Sequence, residues 1–171
     1  MTLVVPISGY ASLYDEADLN GDIIAPGAFA KSLKRTGAAG VKLLYQHAAE
    51  TPVGRWTRFE DRPRGLYAAG ELLLATSAAR DVYELARNAI VDGLSIGFRT
   101  INAAKAANGR RITEAELWEV SIVTFPMAPK ARLTHVGEPQ MLAANDHSCP
   151  HAEPEHAFAD AVRRAAQILS V

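Results

Sequence analysis

The sequence predicts an α+β fold: one mixed, mainly antiparallel β domain with two or three helices, followed by a mobile tail. Three observations predict it. Short apolar or alternating runs, bounded by Gly, Pro and Asp, recur through the first 136 residues, as strands between turns do. One stretch, from Thr76 to about Ile90, changes to helical spacing. After Val136 the composition turns to Gly, Pro, Asn, Asp and His, and reads as a linker. The 171 residues suit a single domain with room for a core. The expected organisation is a domain over 1–136, a linker over 137–156 and a terminal helix over 157–171.

Taken in order, Leu3 to Ser12 reads as a first strand, and Asp15 to Asp22 as a polar loop before Pro26-Gly27. Ala28 to Lys34 suits a short helix stopped by Gly37 and Gly40. Val41 to Gln46 is a buried strand ending at His47. Val53–Phe59 and Leu66–Leu74 flank the turn-rich Asp61–Gly65 and predict a hairpin. Thr76 or Ser77 caps a helix whose stripe is Val82, Leu85, Ala86 and Ala89. Leu94 to Ile101 alternates, with Leu94, Ile96 and Phe98 on one face and Ser95, Gly97 and Arg99 on the other. Ala103 to Gly109 reads as a turn-like or mobile loop, and Leu117 to Phe125 as the last clear strand, stopped by Pro126. In the tail, Phe158, Val162, Ala165, Ala166 and Leu169 form one apolar stripe.

Net charge is −1, so no global field draws the chain to nucleic acid or to a membrane. The single cysteine, Cys149, excludes an intramolecular disulfide framework and fits a reducing compartment. The start, MTLVVPISGY, lacks the features of a secretory signal, and no apolar run reaches the roughly 18 residues of a membrane span. The expectation is a soluble, intracellular protein.

Gly93-Leu94-Ser95-Ile96-Gly97 matches the pattern G-x-S-x-G. In α/β-hydrolases that pattern lies on a strand-to-helix elbow. Here a helix precedes it and a strand follows, so the elbow is excluded while an accessible serine remains. The plainer reading is an ordinary turn into a strand. His47 closes an apolar strand, and its ordinary pKa of about 6.5 suits a general base; a hydrogen-bonded structural histidine is the alternative. On Leu117–Val123, alternation puts Glu119, Ser121 and Val123 on one face and Trp118, Val120 and Ile122 on the other. A carboxylate in so apolar a strand needs a partner if buried, and would orient a histidine; a solvent-facing glutamate fits equally well.

Two metal readings are weak. Asp18–Asp22 has the flavour of a calcium loop, but with Gly21 sixth, the first position is Glu16 and the twelfth Gly27, not the Asp and Glu required. A turn that caps its own backbone explains it better. His147, Cys149, His151 and His156 lack the paired cysteines of a structural zinc site. No metal or organic cofactor is expected.

Several stretches together resemble the prohead proteases of tailed phages and related gene transfer particles. They are Gly9–Ser12, Asp18–Ile24, Pro26–Phe29, Leu43–His47 with Pro52–Gly54, Gly65–Tyr67, Asp92–Phe98 and Leu117–Pro126. The resemblance runs from Gly9 to about Ala131. It implies an assemblin-like fold, as in herpesviruses: a small β-barrel ringed by helices. It implies a serine endopeptidase with Ser95 as nucleophile, His47 as base and Glu119 as third member. Assemblins use a second histidine there, but His135 lies outside the matching strand. The chain departs from the family at Pro126–Pro129, where an Asn is common.

The resemblance also implies partners: the major capsid protein with its scaffolding segment, and the chain itself through autocleavage of the tail and possible self-association. It places the protein in the host cytoplasm, inside the assembling procapsid. The rival readings are a non-catalytic scaffolding or capsid-assembly protein that retains the fold, and an unrelated esterase using the same serine.

Overall fold

The computed structural model describes residues 2–107 and 109–142. Strand β1, Leu3–Leu13, alternates in exposure, turning Val5, Ile7, Ala11 and Leu13 inward. Short β2, Asp22–Ile24, precedes helix α1, Ala30–Thr36, which ends at Gly37. A 3₁₀ turn over Ala38–Gly40 leads into β3, Lys42–Tyr45. The expected hairpin forms from β4, Ala48–Arg62, and β5, Gly65–Leu73. Helix α2, Ser77–Arg87, is capped by Thr76, whose hydroxyl accepts from Ala79 N–H at 3.2 Å. It buries Ala79, Val82, Tyr83 and Ala86. Strands β6, Gly93–Ala106, and β7, Gly109–Val123, form a long antiparallel pair. Strands β8, Leu133–Val136, and β9, Gln140–Met141, both pair with β1.

These nine strands make one sheet in the order β2-β7-β3-β4-β5-β1-β8, with β6 on β7 and β9 on β1. Pairing is antiparallel except where β7 meets β2 and β3. Side chains from β1, β3, β4, β5, β6, β7 and α2 join one core cluster, so the sheet curls around a common interior. Trp56 lies fully inside and donates its indole N–H to Val120 O at 3.2 Å.

Several expectations change. The sheet is not closed into a barrel. Among the described residues its two ends meet only at an isolated bridge between Gly93 and Arg132. Strand β8 has four residues, too few to seam the long β6 along its length. Two short helices take the place of a ring of helices among the described residues. Residues 103–106 are strand, not loop: they pair with β7 out to Ala106 opposite Gly109. They are mostly exposed, so no inside-outside alternation marks them. Leu117–Phe125 is not the last strand, because β8 and β9 follow. Of the expected linker, residues 137–142 lie along β1, with Gly137 N–H on Pro6 O at 2.8 Å and Leu142 N–H on Thr2 O at 3.0 Å. His147, Cys149, His151, His156 and the stripe from Phe158 to Leu169 lie outside the described residues.

Candidate active site

Strand β7 organises the site because three elements share one of its edges. Strand β2 pairs with Arg110–Ile112 and β3 with Glu119–Ile122. Between them, Ala115 N–H reaches Ala28 O at 2.9 Å and Leu117 N–H reaches Ser32 Oγ of α1 at 3.1 Å. On the other edge, Ser95 of β6 stands opposite Ser121, and Gly97 opposite Glu119. Directly opposed residues share a face of the sheet.

A bulge decides which face carries Glu119. The register slips between Gly97 and Phe98, leaving Trp118 as an extra residue of β7. Ala115 and Leu117 are buried before it, Val120 and Ile122 after it. Unbroken alternation would have put Glu119 and Ser121 on the same face as Leu117. Trp118, expected beside Val120 and Ile122, is instead 46% exposed.

His47 reaches this face through a two-residue turn. Tyr45 pairs with Ala48, and both Gln46 and His47 have positive φ, 55° and 60°. Such a turn usually holds Gly or Asn, because a side chain is strained there. Contacts to β7 and to Thr124 just beyond it hold it. Gln46 N–H donates to Ile122 O at 3.0 Å, Gln46 Nε2 donates to Thr124 Oγ1 at 2.7 Å, and His47 N–H donates to Ser121 Oγ at 3.2 Å.

The His47 ring then meets Glu119, Nδ1 to Oε1, at 2.6 Å. A carboxylate only accepts, so Nδ1 carries the proton and Nε2 is the basic nitrogen of the neutral ring. The second carboxylate oxygen, Oε2, accepts from Ser121 Oγ at 2.6 Å. The His47–Glu119 hydrogen bond and, to a lesser degree, the negative charge of Glu119 raise the His47 pKa above its ordinary 6.5, against the opposing effect of burial. The carboxylate lies directly over Gly97, where any Cβ would strike it. Gly93 is similarly required by the close approach of Val123 O and Pro126. Both glycines of G-x-S-x-G thus have a packing reason.

Ser95 and His47 line one cavity of about 180 Å³. Ser95 is 5% exposed, and its hydroxyl makes no hydrogen bond among the described residues. Asp18, Asp22, Phe98 and Met127 form other parts of the wall. Of the three residues singled out in the sequence, two line the cavity and Glu119 sits behind His47, its side chain 14% exposed. His135 is elsewhere, on β8 opposite Ser8. Ser121, which the sequence placed on the face of Glu119 without a role, is fully buried and touches both partners of the pair.

The calcium-like segment is a self-capped turn: Asp18 Oδ1 accepts from Asn20 N–H at 2.8 Å and Asp22 N–H at 2.9 Å. Asp22 is further tied to Arg110 at 2.7 Å. No group of three or more metal-ligating side chains occurs among the described residues. No helix among them is long and apolar enough to cross a membrane.

The sequence matches the family described as caudovirus prohead serine protease over residues 2–144. It is 34% identical over 127 residues to the prohead protease of enterobacteria phage HK97, covering 72% of this chain and 56% of that protein. It is 29% identical over 126 residues to the prohead protease of Escherichia phage T5, covering 72% and 59%. The chain therefore spans less than two thirds of the length of these relatives. In fold it is similar to KSHV protease in complex with a hexapeptide phosphonate inhibitor, with TM-score 0.50 and 13% identity over 81% of this chain and 66% of that one. Varicella-zoster virus protease gives the same TM-score and identity over 78% and 64%.

Proposed function

The chain belongs to the caudovirus prohead serine protease family, and from that premise we propose that it is a serine endopeptidase that cleaves capsid and scaffold protein during prohead maturation. The observation that carries this reading is the His47–Glu119 pair at 2.6 Å beside a cavity that Ser95 also lines. Ser95 Oγ attacks the peptide carbonyl carbon as His47 Nε2 takes its proton. The tetrahedral adduct collapses as the same proton passes to the leaving amine, giving an acyl-enzyme that water hydrolyses by the reverse proton route. Glu119 holds Nδ1–H and stabilises the imidazolium formed in each half-reaction. Every proton in this cycle is moved by residues of the chain itself.

The substrate we infer is the scaffolding segment of the major capsid protein, cut inside the assembled procapsid. The chain's own residues 137–171 are a second candidate substrate. The test is the intact mass of the capsid protein after co-expression with the full chain, wild type against Ser95→Ala. A defined segment lost only with wild type is the expected result. An uncleaved capsid protein in both, with shells still assembling, would leave a scaffolding role in place of proteolysis.

A further inference from the structure

Ser121 is a polar side chain in a fully buried place, between Val120 and Ile122. A serine needed only for packing there would turn its hydroxyl to a strand carbonyl, or give way to alanine. This one does neither. Its single proton goes to Glu119 Oε2 at 2.6 Å, and its oxygen accepts the main-chain N–H of His47 at 3.2 Å. With the His47 ring on Glu119 Oε1 at 2.6 Å, the contacts close a ring: His47 main chain, Ser121, Glu119, His47 imidazole.

Two parts of that ring depend on their neighbours for their placement. The carboxylate stands over Gly97, which has no side chain to lean on, and one residue beyond the Trp118 bulge. The His47 turn has positive φ at both residues, a strained conformation that persists only where its surroundings hold it. Gln46 ties the turn to Ile122 O and Thr124, and Ser121 adds a contact that reaches both the turn and the carboxylate.

We propose that Ser121 is a positioning residue: it holds Glu119 so that Oε1 faces His47 Nδ1, and it anchors the His47 turn from below. It touches no substrate, and it acts through the other two. This rests on the reading of His47 and Glu119 as the catalytic pair. Other charges around the ring stay constant when Ser121 changes. They are Lys42, beside Glu119 on β3, and Glu16, Asp18 and Asp22 on the cavity wall.

The test uses the full chain with Ser121→Ala, read in two ways. Long-range ¹H–¹⁵N spectra of the His47 ring report its tautomer and titration midpoint without reference to activity. Co-assembled capsid protein reports cleavage rate against pH. The expected variant keeps its fold, loses the preference for the Nδ1–H tautomer, and titrates closer to 6.5. Its cleavage rate falls about tenfold or more, in line with losing an oriented base, and the acidic limb of its pH profile moves down with the midpoint. A folded variant with unchanged tautomer and midpoint overturns the proposal. If the alanine chain does not fold, Ser121→Cys fills the site with a slightly larger side chain and a weaker donor, and must shift tautomer and midpoint in the same direction; a wild-type spectrum from it overturns the proposal equally. Should His47→Ala leave cleavage intact, the catalytic reading falls instead, while the spectra still decide whether Ser121 holds the pair.

Discussion

The basicity of His47 is set mainly by one neighbour. Its hydrogen bond to Glu119 raises the pKa, burial lowers it less, and the charge of Glu119 raises it again. Because the folded pKa lies above the unfolded one, the pair contributes stability that is fully present below about pH 6.5 and is lost as pH rises through the folded pKa. In the proposed mechanism the rate runs the other way, since His47 must be neutral to act as base. The acidic limb of the pH–rate profile is therefore expected above 6.5 in the wild type. Glu119→Gln removes the charge and moves that limb down toward 6.5. It also lowers the rate by on the order of 10²–10⁴-fold, because a neutral amide neither stabilises the imidazolium nor enforces the Nδ1–H tautomer. A pH–rate series on co-assembled capsid protein checks both, and an unmoved limb would detach Glu119 from the base. At this scale the sequence was informative for side chains on regular strands. Ser95 is placed by alternation and His47 by the end of an apolar run, whereas the face of Glu119 depends on the Trp118 bulge. The role proposed for Ser121 was not legible, because it depends on a left-handed turn at Gln46-His47, which neither residue type announces.

Among the elements, α1 has a function beyond its own seven residues. Strands β2 and β3 part along the edge of β7, and α1 sits in the gap. Lys31 pairs with Glu114 at 2.8 Å, Arg35 pairs with Glu116, and buried Ser32 accepts Leu117 N–H. The ion pairs involve exposed cations and contribute little. The buried bond matters more, since Ser32→Ala leaves a strand N–H without a partner at the residue before the Trp118 bulge. It is expected to cost about 1–3 kcal/mol in urea unfolding, whereas Lys31→Ala costs under about 1 kcal/mol. Equal costs would mean that Ser32 is replaceable by water. Elements with strong local signals were legible: the β4–β5 hairpin from its Asp61–Gly65 turn, and α2 from Thr76 and its apolar stripe. Strand β2 has three residues, β8 four and β9 two, too few for a period to emerge. The bulge was hidden for a different reason. Trp118 reads as one more apolar residue in an apolar strand, and only pairing with β6 reveals it as extra.

At the scale of the whole fold, the described residues leave the curled sheet open, and the opening lies next to the proposed nucleophile. Along the seam, Leu94 N–H reaches Ala131 O at 2.9 Å and Leu133 N–H reaches Asp92 O at 2.8 Å, around the bridge of Gly93 with Arg132. The Arg132 guanidinium also pairs with Asp92 and donates from Nε to Pro129 O at 3.0 Å. Both members of that pair are more than a third exposed, 40% and 39%, so it adds less than about 1 kcal/mol to global stability. Its effect is local, because Ser95 is the residue after Leu94. A closed barrel would have distributed the load over a full ladder; here a few bonds hold the start of β6 against the segment before β8. Arg132→Ala should therefore shift the melting temperature by no more than about 2–4 °C, yet speed amide exchange at Leu94 and Leu133. Exchange at Leu72, buried between β1 and β4, should stay unchanged. Capsid cleavage should fall with the protection of Leu94, because a nucleophile on a loosened strand end spends less time aligned with His47. If Leu72 loses protection together with Leu94, the seam is no separate unit and the open sheet behaves as a closed one.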